Sequence, residues 1–173
     1  MSSVRSASPR SVVRVHLFTP PSDPDGRPAR FGSGDPVPGH EGLRGLAVGA
    51  WAGRALEEVA AEDPAAVGAW LTDPGYTPPG GESVAALIAR VGAHLAELAP
   101  GTHRVVVEQA VVRAAVVHAL DLPAPVFWRL DARPDTVTTL TGRAGRWNLL
   151  LGRPDPEAAD EARRIGAGGP END

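Results

Sequence analysis

No cysteine occurs among the 173 residues, which excludes disulfides, thiolate zinc sites and cysteine nucleophiles. Lysine is absent as well, so all 17 basic residues are arginines. With the abundance of Ala, Gly, Pro and Val, this reads as a coding bias rather than a binding device. No run of about 18 apolar residues is present, so no membrane-spanning helix is expected. Met1 to Arg10 lack the apolar stretch of a secretory signal, which makes the cytoplasm the expected location. The net charge of −4 supplies no global basic field, so neither nucleic acid nor a membrane is expected as a partner. His16, His40, His94, His103 and His118 show no metal-ligand spacing such as i, i+4 on one helix. Asp23, Asp25 and Asp35 lack the periodicity of a calcium loop. No metal and no cofactor is therefore expected. What is present is 42% apolar and 22% charged residues, the composition of one soluble globular domain.

Residues 1–10 are rich in Ser and Arg and read as a disordered N-terminus, 11–152 as the folded domain, and 153–173 as a polar tail. Ser11–Phe18 is β-branched and apolar, a strand that Pro20-Pro21 ends. Residues 19–42 hold six prolines and five glycines and form a long loop, a place where function concentrates. A short helix is expected over 55–61. Asp63-Pro64 then reads as an N-cap with proline in the first turn, opening a second helix through Leu71. From Glu82 to Leu98, apolar residues recur at three- and four-residue spacing (Val84, Leu87, Ile88, Val91, Leu95, Leu98), which predicts an amphipathic helix. Arg104–Val107 reads as a buried strand and Ala110–Leu120 as an apolar helix. Thr136–Thr141 and Arg146–Leu151 read as a hairpin around Gly142–Gly145, and 156–164 as a short tail helix. This order is α/β. Its ligand crevice belongs at the carboxyl ends of the strands, which singles out the loops after Phe18 and Val107.

Three stretches carry a family resemblance. Gly80-Gly81-Glu82-Ser83 opens the long helix. Val105 to Leu122 runs from a strand through a tight turn into a helix. Phe127-Trp128-Arg129-Leu130 leads to the final hairpin. Upstream, Leu43-Arg44-Gly45-Leu46 and Gly49-Ala50-Trp51-Ala52-Gly53-Arg54 add to the match. In order and spacing the chain resembles the histidine phosphatase (phosphoglycerate mutase-like) superfamily over roughly residues 12–151. The resemblance implies a three-layer α/β/α fold with a reduced phosphoglycerate-mutase-like sheet.

The chain departs from the family's pattern in three places. Where the family's first strand ends in a phosphoryl-accepting histidine, this chain reads Thr19-Pro20-Pro21. Proline has neither a nucleophilic atom nor a backbone N–H. Where the second family histidine stands, this chain has Glu108. The family's middle segment, with its phosphate-binding arginine, is missing between Gly39 and Leu43. Of the family's pocket residues Glu82 remains, a position that often serves as a proton donor.

The resemblance makes Glu82 and Glu108 the candidate catalytic residues, with Thr19, Ser22, Arg30, His40 and Gln109 as candidate substrate-binding residues. Two carboxylates sharing a pocket about 5 Å apart repel by about 3 kcal/mol at an effective dielectric near 20. Such a pocket disfavours a phosphate dianion and favours a neutral or cationic small molecule, with acid–base chemistry as the reaction type. Each carboxylate has a plainer reading, as an acid at a helix N-terminus. The alternative for the whole chain is a non-catalytic pseudoenzyme that scaffolds a partner. A homodimer through the surface left by the missing segment is one form of that. A residual phosphatase is the remote third.

Overall fold

Alternation along β1 (Val12–Phe18) decides the architecture: Val15 and Leu17 are fully buried on one face, while the other face carries exposed Arg14 and the polar, buried His16. Successive side chains of a strand point to opposite faces, so one face is core and the other is polar. The computed structural model describes residues 12–20 and 37–151. The expected N-terminal segment, the tail helix at 156–164 and most of the loop 19–42 lie outside the described residues.

β1 lies between β2 (Gly101–Val106), which runs parallel to it, and β3 (Val137–Arg143), which runs antiparallel. β4 (Arg146–Leu150) completes a mixed sheet in the order β2-β1-β3-β4. Three helices, α1 (Leu56–Glu62), α2 (Pro64–Thr72) and α3 (Val84–Glu97), lie between the parallel strands, and α4 (Gln109–Ala119) follows β2. The protein is an α/β fold, as its sequence pattern implies.

Local chemistry sets the boundaries. Asp63 caps α2 by accepting from the Ala66 N–H at 2.9 Å, with Pro64 in the first turn, the arrangement proline prefers. α3 begins at Val84 rather than Glu82. The Ser83 hydroxyl caps the Ala86 N–H, and the Glu82 N–H is taken by the Ala47 carbonyl at 2.7 Å. Val84, Leu87, Val91 and Leu95 are its fully buried stripe. β2 starts earlier than expected, at Gly101, because its pairing with β1 begins at Val13. The hairpin turn is shorter than the glycines suggest. Ala144 and Gly145, both with positive φ, make a two-residue turn, the geometry that matches strand twist. Gly142 stays in β3, paired with Val13 and Trp147, and the Trp147 ring lies where its side chain would be.

α3 and α4 pack side by side, and their buried residues join Val15, Leu17, Val105 and Leu140 in one core. Trp51, Trp70 and Phe127 belong to it, and Trp70 meets Trp128 edge-on with centroids 4.2 Å apart. The tryptophans are wall and core, as expected from their size. Arg14, Thr102, Arg104 and Val106, on the other sheet face, are exposed, so no helix among the described residues covers them. No helix of the described residues is long and apolar enough to cross a membrane.

Candidate functional site

Glu82 sits one residue before the cap of α3, and its carboxylate is held from several sides. Oε1 accepts from Arg90 Nη2 at 2.5 Å, from the Ala47 N–H at 3.1 Å and from Arg44 Nη1 at 3.2 Å, while Oε2 accepts from Arg90 Nε at 3.2 Å. Arg90 also donates through Nη1 to the carbonyls of Gly42 and Arg44, and through Nη2 to that of Gly45. All five guanidinium donors are therefore used. Both Glu82 and Arg90 are largely buried, with side-chain exposures of 13% and 19%. This cluster fixes the segment 42–47 against the start of α3. The expected repulsion between Glu82 and Glu108 took no account of these two cations. Arg44 and Arg90 supply opposite charge at Glu82, so the site is not a pair of unopposed carboxylates.

The glycines of the Gly80-Gly81-Glu82-Ser83 motif serve the same join. A side chain on Gly81 would meet the Ala47 carbonyl at 2.5 Å, and one on Gly49 would meet the Pro79 carbonyl at 2.0 Å. Two loops can approach this closely only where both lack side chains.

Glu108 occupies the N-cap position of α4, half-buried, yet its side chain makes no cap hydrogen bond. Its backbone carbonyl accepts from Val111 and Val112 instead. The carboxylate lies over Gly45, where an added side chain would come within 2.2 Å of Oε1. The fold thus brings Glu82 and Glu108 to one four-residue segment, Arg44–Ala47, from two helix starts. The Glu108 backbone directly follows Val107, whose N–H bonds the Phe18 carbonyl at the end of β1. This is the carboxyl end of the two parallel strands, where α/β folds bind ligands.

The other candidates separate from this centre. Thr19 is buried, and its hydroxyl is committed to the loop before β3. It donates to the Arg133 carbonyl at 2.5 Å and accepts from the Thr136 N–H at 3.2 Å. Gln109 is exposed in the first turn of α4. Ser22 and Arg30 lie outside the described residues. His40 joins two other histidines: its Nδ1 is 3.0 Å from His94 Nε2, and its ring meets that of His103 edge-on at 5.8 Å. His94 is four residues past Arg90, one turn farther along α3. Among the described residues no group of three or more His, Asp or Glu side chains is arranged to hold a metal ion.

Arg44 and Arg90 are the residues that sequence reasoning missed as parts of the site. Arg44 was visible within the Leu-Arg-Gly-Leu stretch. Arg90 could have been found as the arginine two turns after Glu82 on the same amphipathic helix.

Burial holds the His94 imidazole below its usual pKa, with the neighbouring His40 adding to the effect; Glu97 and Glu41 oppose it and His103 reinforces it. A group with a depressed folded pKa binds fewer protons when folded than when unfolded. Stability should therefore be full above the unfolded value near 6.5 and be lost as pH falls toward the lower folded value. Chemical denaturation between about pH 7 and pH 5 should show this loss, and His94→Gln should flatten it. Equal slopes for both proteins across that window would refute the assignment.

The histidine phosphatase superfamily (branch 1) matches the chain over residues 27–153, and the chain belongs to that superfamily. Its fold is similar to the α-ribazole phosphatase from Shigella flexneri, with a TM-score of 0.65 at 15% identity, covering 82% of this chain and 100% of that one. A mycobacterial glucosyl-3-phosphoglycerate phosphatase, solved with VO3, gives a TM-score of 0.65 at 18% identity, with coverage of 82% and 99%. A structure described as mycobacterial hydrolase 1 shares 25% identity at a TM-score of 0.56; the match covers 66% of this chain and spans only 62% of that chain's length. No curated protein matches the chain in sequence.

Proposed function

We propose that this chain is a non-phosphatase member of the histidine phosphatase superfamily. Its pocket at the carboxyl ends of β1 and β2, acidic through Glu108 because Arg44 and Arg90 offset Glu82, binds or transforms a neutral or cationic small molecule by acid–base chemistry. Glu108 is the group that carries the chemistry. Glu82, held by Arg44 and Arg90, positions the segment 44–47 that forms the other wall. The observation that carries this reading is the Glu108 side chain: at an N-cap it forgoes the cap hydrogen bond and lies over Gly45 instead. A cap-only acid would use that bond. Pro20, at the position that the family gives to its nucleophile, supports the non-phosphatase reading, since it offers no nucleophilic atom.

A thermal-shift screen of small metabolites weighted toward amines, run on the wild type and Glu108→Gln, tests this. The isosteric variant should lose the ligand response while its stability stays within about 0.5 kcal/mol of wild type. A cap-only role predicts a loss of about 0.5–1 kcal/mol with the ligand response intact. In parallel, p-nitrophenyl phosphate and phosphoglycerates should give no turnover above background. Robust turnover that survives repurification would sink the non-phosphatase reading.

One observation favours the second reading, a non-catalytic scaffold. The Glu82 carboxylate accepts four hydrogen bonds, which leaves it poorly placed to give or take a proton. A wild type that answers to no small molecule in the screen would move the case to that reading.

A further inference from the structure

The second face of the sheet is organised in rows that the pairing register defines. Thr102, Arg14, Thr141 and Asn148 form one row across all four strands, and Arg104, His16, Thr139 and Leu150 form the next. Neighbouring strands lie about 4.8 Å apart and alternate residues about 6.7 Å apart, so the two rows cover roughly 14 by 7 Å. They line a concavity of about 620 Å³, within the range of small-molecule sites.

The chemistry of this face is one-sided. The four strands contain Arg14, Arg104, Arg143 and Arg146 and no Asp or Glu, in a chain whose net charge is −4. An ordinary solvated face mixes both signs. Among the described residues, the side chains of Arg14, Arg104, Thr102, Thr141 and Asn148 make no hydrogen bond or ion pair with one another or with any other described residue. Arg14 and Arg104 are diagonal neighbours on paired strands, which places their Cα atoms about 7–8 Å apart, within reach of one shared anion. His16 lies in the second row between Arg104 and Thr139, 8% exposed, with Nδ1 2.9 Å from the Thr139 hydroxyl. It makes a fixed polar floor.

We propose that this face is a second binding site, separate from the acidic pocket, for a small hydroxylated molecule carrying a phosphate group. Two guanidiniums approaching from adjacent strands suit a tetrahedral dianion with several acceptor oxygens. The hydroxyl of Thr141 and the amide of Asn148 continue the row of Arg14 away from the arginines, with Thr102 on the other side of Arg14, and they match the hydroxyls of a sugar-like remainder. Nothing in this assignment depends on Glu82 or Glu108. It stands if the acidic pocket proves inert, and it fails independently of it.

The test is an NMR titration of the full chain with glucose 6-phosphate, with inorganic phosphate and sulfate as comparison anions at matched ionic strength. Saturable shifts are expected at the amides of β1, β2 and β3 around Arg14, Arg104 and Thr141. Arg14→Ala and Arg104→Ala are changes at exposed positions whose fold circular dichroism can check. Each should weaken binding about tenfold, and Arg14→Lys should restore part of the loss because it keeps the charge but not the fork. Four results would overturn the proposal: no saturation by glucose 6-phosphate, an equal response to sulfate, unchanged affinity in both alanine variants, or shifts confined to residues 44–47 and 108.

Discussion

Arg90→Ala should lower the folding stability by about 3–5 kcal/mol, the range expected when one partner of a buried, hydrogen-bonded ion pair is removed. Its five donors serve three backbone carbonyls, those of Gly42, Arg44 and Gly45, and both oxygens of Glu82. Truncation leaves the carbonyls short of partners in a largely buried place. It also leaves a carboxylate with only the Ala47 N–H and the more exposed Arg44. Arg90→Lys should fall between wild type and alanine, because an ammonium has three donors and no planar fork. Glu82→Gln should cost less than Arg90→Ala, since the amide oxygen can still accept from Ala47 and Arg90 keeps its three carbonyls. Urea denaturation of the three variants measures the order. A loss below about 1 kcal/mol for Arg90→Ala would class the pair with ordinary surface ion pairs and remove the clamp from the account of the site.

The clamp also shows where sequence reasoning reaches its limit. Periodicity exposed α3 because Val84, Leu87, Val91 and Leu95 repeat the helical spacing and are all buried. Asp63-Pro64 exposed the start of α2, and the hairpin was legible from two β-rich runs around a glycine. Each of these signals is local. The partners of Glu82 are not: Arg44 lies 38 residues upstream, in a loop without periodicity, and Arg90 reads as one polar residue on an amphipathic helix. An estimate of repulsion between Glu82 and Glu108 built from the sequence alone could not include either cation. The family resemblance put both carboxylates in one pocket, because motif order encodes the strand ends, but it did not point to the segment 44–47. It could not say that Glu82 accepts four hydrogen bonds. The His40, His94 and His103 cluster escaped for the same reason, since a loop, a helix and a strand contribute one ring each and no spacing rule connects them.

Two glycine-to-alanine changes a few residues apart should separate the support of the site from its chemistry. Gly49 has φ near +55°, and an added Cβ would meet the Pro79 carbonyl at 2.0 Å and the Gly80 and Gly81 backbone at 2.6 Å. None of those atoms is a flexible side-chain end. The left-handed conformation costs about 1–2 kcal/mol for a residue with a Cβ, and forcing apart packed backbone adds about 1–3 kcal/mol. Gly49→Ala should therefore destabilise by about 2–5 kcal/mol, splaying the 47–49 loop from the Gly80-Gly81 turn. Gly45 differs in what it faces: the three atoms nearest its added Cβ all belong to the carboxylate of Glu108, at 2.2 to 2.5 Å, the far end of a flexible side chain. Gly45→Ala should change stability by less than about 1 kcal/mol. It should nonetheless abolish the ligand response as fully as Glu108→Gln does, because the carboxylate is displaced although its charge remains. Thermal melts and the amine-weighted ligand screen on both variants check this. A Gly45→Ala protein that keeps its ligand response would show that the position of Glu108 over this segment does not matter, and Glu108 would then be only a residue at the head of α4.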